Sequence, residues 1–273
     1  MPTNSSHSDA SETLAPDAIE RRDRELFDNI AAGYCRKDHA ASSRIARKHR
    51  LLQTIAAVPK STSWRVLEIG CGAGFAASYL AGHYSSYAGI DYSAELIRLA
   101  NQENAGPNIS FITANIKEFQ PPRQPDLIFG IGVLHHLESW EDAVQGIVDM
   151  LQPGGWLAVN EPSPSNSLVN LARVVRKRID RAYSDDQLEL TGRELKTAFE
   201  NAGLQSVKIV PQGIFSTPFA EVILPPQWLT APTSRCACFF DAIFERAFGG
   251  FAGRLTWNTI VAGQKPQSST MES

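Results

Sequence analysis

The sequence lacks the features of several large classes of protein. It has no run of about 18 uncharged apolar residues, so no membrane-spanning helix is expected. Its net charge of −3 offers nucleic acid no general attraction. The segment from Met1 to Ala15 has neither the charged start nor the apolar centre of a secretory signal. We therefore expect a globular, cytoplasmic protein with no nucleic-acid partner.

Metal-binding patterns are also missing. Cys236 and Cys238 are separated by one residue, closer than zinc ligands usually are. Among the histidines, His135 and His136 are adjacent, but no Cys or carboxylate joins them at ligand spacing. We predict no metal site, and cysteines that stay reduced.

The length of 273 residues, with 43% hydrophobic residues, is enough for one sizeable core. We expect one domain over residues 19–263, after a polar, disordered tail over 1–18 and before a short C-terminal tail over 264–273.

Residues 19–60 are predicted to form two helices. The first has an apolar face, made of Leu26, Phe27, Ile30, Ala31 and Tyr34. The second carries a basic run, most often a solvated face, made of Arg44, Arg47, Lys48 and Arg50.

The most informative segment runs from Val66 to Gly74 and reads Val-Leu-Glu-Ile-Gly-Cys-Gly-Ala-Gly. Its three glycines, Gly70, Gly72 and Gly74, follow a β-rich run. Because glycine has no Cβ, the backbone there can turn tightly and approach a ligand closely. The residues that follow predict a helix whose first amides favour an anionic group. The segment indicates a nucleotide-cofactor site.

Two acidic residues refine this interpretation. Asp91 ends a second short apolar run 21 residues after Gly70, near the spacing at which a carboxylate accepts hydrogen bonds from ribose hydroxyls. Glu68 precedes Gly70 by two residues, where it would repel a pyrophosphate and attract an ammonium group. A glycine spacing of the dinucleotide type is also present, so an NAD-dependent oxidoreductase remains an alternative. The acidic pair favours a cofactor with an adenosine and a positive charge.

These motifs resemble those of class I S-adenosylmethionine-dependent methyltransferases of the small-molecule type. S-adenosylmethionine meets both demands, since it has a ribose and an ammonium group. Three further segments resemble the family in order and spacing: Asn108 to Ile116, Pro125 to Leu137 with its Leu-His-His-Leu turn, and Leu151 to Glu161 with its Pro-Gly-Gly turn. The resemblance covers about residues 64–163.

The resemblance implies a cofactor-binding set. Asn115, where the family usually has an acidic residue, and Ile116 would hold the adenine. Tyr34 would close over the cofactor, with a tyrosine at the rim of the core as an equal alternative. The whole set expected to bind S-adenosylmethionine is Tyr34, Glu68, Gly70, Gly72, Gly74, Asp91, Tyr92, Asn115, Ile116 and Ile131.

Strand and helix patterns alternate from Trp64 onward, with strands near 65–70, 86–91, 109–113, 126–131 and 155–160. Such alternation predicts a parallel sheet covered by helices on both faces. A capping box from Thr191 to Glu194 begins another helix, and strands near 206–211 and 256–262 complete the sheet. We expect an α/β, doubly wound, Rossmann-like sheet of seven strands, in which the resemblance implies an antiparallel last strand.

Two insertions are expected to form a substrate lid. Residues 162–190 contain five cations within nine residues, which predicts a basic amphipathic helix. Such a helix is most often solvated on its charged face, but it could attract a phosphate-bearing substrate or an anionic membrane surface.

The second insertion, residues 214–254, holds eight of the 24 aromatic residues. One helical stripe collects most of its apolar side chains, namely Phe239, Phe240, Ile243, Phe244, Ala247 and Phe248. We expect this stripe to be buried as core beneath a cap. An apolar acceptor pocket, a homodimer contact and a membrane-facing patch are the alternatives.

Three residues are predicted to be catalytic. His135 and His136 follow the fourth strand, and Glu161 ends the fifth, where it could orient one of them or contact the acceptor. An unperturbed histidine pKa of about 6.5 suits proton removal at neutral pH. The alternative is that the histidines bond only the backbone of their own turn.

The leading interpretation is therefore O-methylation of a small molecule, with an apolar, lipid-linked or glycan-linked acceptor. Peripheral membrane contact and a homodimer are compatible with it. An NAD-dependent oxidoreductase and a non-catalytic S-adenosylmethionine-binding protein are the alternatives.

Overall fold

The computed structural model describes residues 16–164, 188–252 and 255–267. Its centre is one seven-stranded sheet in the order β3-β2-β1-β4-β5-β7-β6, in which β7 runs antiparallel to both of its neighbours. The expected seven-stranded α/β sheet with an antiparallel last strand is confirmed. The strands are β1 (Arg65–Ile69), β2 (Ser86–Asp91), β3 (Ile109–Thr113), β4 (Leu127–Ile131), β5 (Trp156–Pro162), β6 (Gln205–Gln212) and β7 (Asn258–Gln264).

Helices cover the sheet and its carboxyl edge. They are α1 (Pro16–His39), α2 (Ala41–Ile55), α3 (Phe75–Tyr79), α4 (Ala94–Glu103), α5 (Trp140–Met150), α6 (Gly192–Asn201), α7 (Thr217–Glu221) and α8 (Gln227–Ala252), with a 3₁₀ turn at Leu134–His136. Both bonds of the capping box are present at the start of α6. No helix in the described parts of the chain is long and apolar enough to cross a membrane.

The core lies on both faces of the sheet because parallel strands are covered on both sides. On one face, Leu67 and Ile69 of β1 pack in the same cluster as α5 and α6. On the other face, Val66 packs in a cluster that includes Leu51 of α2 and Ala77 of α3. Alternate residues of one strand therefore serve two different cores.

The carboxyl edge of the sheet collects the connections that carry the sequence motifs. Strands β1 to β5 are parallel, and β6 runs in the same direction because both β5 and β6 are antiparallel to β7. The segment from β6 to β7 therefore leaves and re-enters the sheet at this edge. Ligands of open α/β sheets bind at such an edge.

Helix α8 has the opposite orientation to the one expected. Phe239, Phe240 and Ile243 are 63%, 52% and 47% exposed, whereas Asp241 is completely buried. Oδ1 of Asp241 accepts hydrogen bonds from the amides of Ile214 and Phe215, and Oδ2 accepts from a third. Because buried amides need an acceptor, the carboxylate determines the inward face, and the prediction that the aromatic stripe is core is wrong.

Other expectations have mixed outcomes. In α1, Ala31 is buried and Phe27 and Tyr34 pack beside it, but Ile30 is 38% exposed, so its assignment to the apolar face is wrong. Of the expected tail over 1–18, residues 1–15 lie outside what is described and residues 16–18 belong to α1. The end of the chain after 267, the five cations of the first insertion and the side chain of Phe248 also lie outside what is described.

Candidate functional site

The glycine-rich turn links β1 to α3, and its three glycines have different surroundings. All three have positive φ, +63° at Gly70, +51° at Gly72 and +76° at Gly74. A Cβ on Gly70 would lie 2.5 Å from Val133 Cγ2, and one on Gly74 would lie 2.5 Å from Phe111 Cζ. A Cβ on Gly72 would meet only an ordinary contact, 3.5 Å from the Tyr34 ring. Packing thus excludes a side chain at two positions, and the third lies beneath Tyr34.

Asp91 ties this turn to the end of β2. It is 8% exposed, and its Oδ2 accepts from the Gly72 amide at 2.9 Å while its Oδ1 accepts from the Ser93 amide at 2.9 Å. Burial raises the pKa of Asp91 to about 6, although the amide bonds act in the opposite direction. Each carboxylate oxygen has a second lone pair with which to accept from a ligand hydroxyl.

Glu68 lies beneath the same turn on β1. It is 5% exposed and accepts a hydrogen bond from the Tyr87 hydroxyl. Burial raises its pKa to about 8, and the nearby charge of Asp91 acts in the same direction, whereas the Tyr87 bond lowers it. A cation placed beside this buried carboxyl would favour its charged form.

Helices α1 and α2 close one side of the site through contacts that the sequence did not predict. Arg47 donates to Asp38 at 2.8 Å, and its guanidinium carbon lies 4.9 Å from the centre of the Tyr34 ring. Asp38 also accepts from Tyr79. Arg47 and Arg50 are thus ion-paired, the latter with Glu221, and their assignment to a solvated face is wrong.

Helix α1 also reaches the start of α4. Asp28 accepts from the Ser93 hydroxyl at 2.5 Å and from the Glu95 amide at 3.2 Å, and so supplements the cap that Ser93 provides. The contact crosses 65 residues of sequence. The local sequence pattern of α1 does not predict this contact.

The residues expected near an adenine lie around the ends of β2, β3 and β4. Asn115 accepts from the Lys117 amide at 3.0 Å, so its oxygen already stabilises the turn after β3. Ile116 and Ile131 are half-buried against the two core clusters. Tyr92 packs edge-on against Phe27, and its buried hydroxyl has no hydrogen-bond partner within the described residues.

His135 and Glu161 form a buried pair across the ends of β4 and β5. His135 Nδ1 lies 2.7 Å from Glu161 Oε2, and the other oxygen accepts from the amides of Val133 and Leu134 at 2.9 Å each. Burial raises the pKa of Glu161, but the bonds from His135 and from these amides outweigh it, so the pKa lies below its usual value. An ionised Glu161 holds the proton on Nδ1 and leaves Nε2 as the acceptor nitrogen.

His136 has a different partner. Its Nδ1 lies 3.0 Å from Oδ2 of Asp23, a buried carboxylate of α1, and its ring centre lies 4.1 Å from that of His135. Burial lowers the pKa of His136 although Asp23 acts in the opposite direction, so the neutral form of this imidazole is favoured. Neither histidine is limited to bonds with its own turn.

The structure therefore brings the predicted residues to one edge in two groups. Gly72, Asp91 and Glu68 surround the first turn, and His135, His136 and Glu161 lie at β4 and β5. The residues missed by sequence reasoning are the long-range partners Asp23, Asp28 and Asp38, and Arg47 was assigned to a solvated face instead of to this site. No local motif identifies these residues, because each is distinguished only by its contact with a residue distant in sequence.

Comparisons with known proteins agree on one family. A family model described as a methyltransferase domain matches residues 33–209. A trans-aconitate 2-methyltransferase of Rhodopseudomonas palustris is 34% identical over 110 residues, which are 40% of this chain and 42% of that protein. A phthiotriol/phenolphthiotriol dimycocerosates methyltransferase of Mycobacterium leprae is 31% identical over 107 residues, 38% of this chain and 40% of that protein. The chain thus matches less than half the length of these relatives.

Solved structures agree on the fold. A Thermotoga maritima protein, described as an S-adenosylmethionine-dependent methyltransferase and possible histamine N-methyltransferase, superposes with a TM-score of 0.62 at 16% identity. The match covers 88% of this chain and 98% of that one. At this level of identity the likeness concerns the fold alone.

Proposed function

Because the chain belongs to the class I S-adenosylmethionine-dependent methyltransferases, we propose that it methylates a hydroxyl oxygen of a small, apolar acceptor. The observation that carries the proposal is the buried pair of His135 and Glu161. Methylation of a hydroxyl needs a proton acceptor, and this pair supplies one at the edge where the donor binds. Membership of this family also argues against the NAD-dependent alternative.

The residues around the first turn fit S-adenosylmethionine. Two buried acidic groups suit a ligand with an ammonium group and ribose hydroxyls better than they suit a pyrophosphate. In this proposal Glu68 attracts the ammonium group, Asp91 accepts from the ribose and Gly72 allows close approach beneath Tyr34. The hydroxyl of Tyr92, which is buried without a partner in the described chain, offers a further polar contact.

The remaining residues of the expected set complete the site in this proposal. Asn115 and Ile116 lie on the connection that would hold the adenine, and Ile131 lies at the end of β4. Gly70 and Gly74 act on the turn itself, since a side chain at either position would collide with the core. Their contribution is the shape of the turn rather than contact with the ligand.

Bound S-adenosylmethionine supplies a methyl group already activated on a sulfonium. The protein must hold the acceptor in line, exclude water and remove one proton. As the acceptor oxygen takes the methyl group that the cofactor would supply, His135 Nε2 would accept the proton that this hydroxyl loses. Glu161 keeps the proton on Nδ1 and stabilises the imidazolium that results.

His136 is proposed to position this base rather than to share its task. Its Nδ1 faces Asp23, and its ring lies beside that of His135. A neutral neighbour does not repel the developing charge on His135. The contact also links the base to helix α1, which carries Tyr34.

The segment between β6 and β7 supports an apolar acceptor. It starts and ends at the carboxyl edge, and Phe215 contacts Phe240 and Phe244 with ring centres 6.4 and 5.7 Å apart. Its exposed apolar side chains suit a substrate lid or peripheral contact with a lipid surface. Both insertions remain proposed lids, and a homodimer and a cytoplasmic location remain predictions.

A carboxylate acceptor is the second candidate, because several relatives are trans-aconitate 2-methyltransferases. A carboxylate is already ionised at neutral pH and needs no base. Under this alternative His135 and Glu161 would be structural, and their replacement would leave turnover nearly unchanged.

The decisive experiment supplies methyl-labelled S-adenosylmethionine to the purified chain with lipid extract, polar extract or trans-aconitate. We expect label in an apolar product that resists mild ester hydrolysis, as a methyl ether does. Label in trans-aconitate, or in an alkali-labile ester, would overturn the hydroxyl assignment. Tight cofactor binding with no product in any fraction would instead identify a non-catalytic binding protein.

A further inference from the structure

A second cluster of reactive side chains lies away from the histidine pair, between the C-terminal ends of α1 and α4. Cys35 and His39 are one turn apart on α1, and Glu103 is the last residue of α4. Cys35 Sγ lies 3.7 Å from His39 Nε2 and 3.7 Å from Glu103 Oε1, and His39 Nε2 lies 3.0 Å from Glu103 Oε2. One donor atom from each of the three residues thus lies within 4.8 Å of those of the other two, and the contacts of Cys35 and His39 with Glu103 are made to different carboxylate oxygens.

The separations are close to the edges of a zinc coordination tetrahedron, with a different oxygen of Glu103 nearest to each of the other two donors. With usual zinc–ligand bond lengths, tetrahedral angles separate sulfur from nitrogen by about 3.6 Å, sulfur from oxygen by about 3.5 Å and nitrogen from oxygen by about 3.3 Å. Small side-chain adjustments would bring all three donors onto one ion. Thiolate, imidazole and carboxylate are the ligand types that Zn²⁺ accepts.

We propose that Cys35, His39 and Glu103 bind one divalent zinc-type ion that joins α1 to α4. The side chains of His39 and Glu103 are 57% and 32% exposed, so solvent can supply a fourth ligand and the ion can enter. Cys35 is 4% exposed and provides the buried end of the site. Metal binding replaces the thiol proton, since the thiolate is the ligand form.

Surrounding residues orient the donors. The His39 ring packs perpendicular to Phe75, with ring centres 5.2 Å apart, and this limits rotation of the imidazole. Burial and the neighbouring Glu103 raise the pKa of the Cys35 thiol to about 11. Without a metal the thiol therefore stays protonated, which argues against a role for Cys35 as a free nucleophile.

The position of the cluster gives the ion a structural consequence. Asp28 already attaches α1 to the start of α4, and the ion would attach it to the end of α4. Tyr34 immediately precedes Cys35 and lies against Gly72. A bound ion would therefore fix the part of α1 that closes the glycine turn. The site itself does not depend on the methyl-transfer proposal.

The test uses the full chain after treatment with a chelator, titrated with Co²⁺ and then with Zn²⁺. We expect one ion per chain and a near-ultraviolet thiolate-to-cobalt charge-transfer band that Zn²⁺ abolishes. Cys35→Ser should remove the band, and Glu103→Gln should weaken Zn²⁺ binding at least about tenfold, because loss of outer partners alone costs that much. Cys236→Ser, which alters an exposed cysteine, should bind as the parent does.

Several results would overturn the proposal. They are absence of the charge-transfer band, stoichiometry far below one ion, or unchanged Zn²⁺ affinity in Glu103→Gln. Because Glu103 is partly exposed, Glu103→Gln should fold, and it therefore tests the proposal even if Cys35→Ser does not fold. Added Zn²⁺ should also raise the melting temperature of the parent and of Cys236→Ser, but not that of Cys35→Ser.

Discussion

The Nδ1 atom of His135 lies 2.7 Å from Oε2 of Glu161. The other carboxylate oxygen, Oε1, accepts hydrogen bonds from the amides of Val133 and Leu134, in the turn that contains the histidine. One carboxylate thus fixes both the backbone position and the tautomer of the imidazole. This is the orientation that the proposed role of His135 as a base requires.

Glu161→Gln tests the pair without leaving a buried charge. The amide oxygen can still accept from the turn, but its NH₂ group would donate to Nδ1 and move the imidazole proton to Nε2. We expect kcat to fall by roughly 10²–10⁴ with an unchanged Kd for S-adenosylmethionine. Glu194→Gln, at the exposed start of α6, is the control. Normal turnover in Glu161→Gln would remove the base assignment.

Asp91→Asn should weaken cofactor binding at least about tenfold, because a neutral acceptor replaces the carboxylate at the ribose. Calorimetric titration measures the change directly. Asp126→Asn is the matched control, since Asp126 also accepts from a backbone amide, that of Arg65, at the opposite end of β1. Equal affinities in the two variants would show that the ribose contact is misplaced.

Glu68→Gln should affect stability and binding in opposite directions. The raised pKa means that folding favours the protonated carboxyl, so this contribution is complete below about pH 4.5 and is lost as the pH rises through about 8. At pH 7 the unliganded variant should exceed the parent in free energy of unfolding, by an amount on the order of 3 kcal/mol. Denaturant titrations across pH 5 to about 8 would show the stability curves of parent and variant separating as the pH rises and converging towards pH 5.

The same variant should bind S-adenosylmethionine more weakly. In the parent, binding should release a proton from Glu68, and calorimetry in buffers of different ionisation enthalpy would detect it. The release should disappear in Glu68→Gln. Proton release that is equal in parent and variant would place the ammonium group elsewhere.

Gly72→Ala and Gly74→Ala should separate ligand approach from packing. The Cβ at Gly74 would collide with Phe111, whereas the Cβ at Gly72 has ordinary room, so Gly74→Ala should lower the melting temperature more. Each substitution also carries about 1–2 kcal/mol for its positive φ. We expect Gly72→Ala to lose cofactor affinity beyond its effect on stability. Wild-type affinity in Gly72→Ala would contradict close approach at this position.

The two faces of α8 should respond oppositely to substitution. Asp241→Ala leaves three backbone amides without their acceptor and should cost about 3 kcal/mol or more. Phe239→Ser changes an exposed side chain and should alter stability by no more than about 0.5 kcal/mol. Urea denaturation of both variants measures this contrast. Strong destabilisation by Phe239→Ser would instead show that the aromatic face of α8 is buried.

Sequence reasoning succeeded where one local pattern determines one local structure. The alternation of strands and helices predicted the sheet, and the Thr191 capping box predicted the start of α6. It failed where a residue distant in sequence determines which way a side chain points. The apolar side chains of α8 do share one helical face, as their periodicity predicts. That face points to solvent because Asp241, on the other face, accepts hydrogen bonds from the amides after β6. Likewise, the basic run of α2 is charged as expected, yet Asp38 and Glu221 draw Arg47 and Arg50 away from solvent.

Helix α1 touches three strand ends in succession, through Asp23 at His136, Asp28 at Ser93 and Tyr34 at Gly72. In the proposed function, a displacement of this one helix would uncover both the proposed cofactor site and the two imidazoles in a single event. Departure of spent donor and admission of a fresh acceptor should then share one kinetic barrier, so substitutions along α1 would change both rates in proportion.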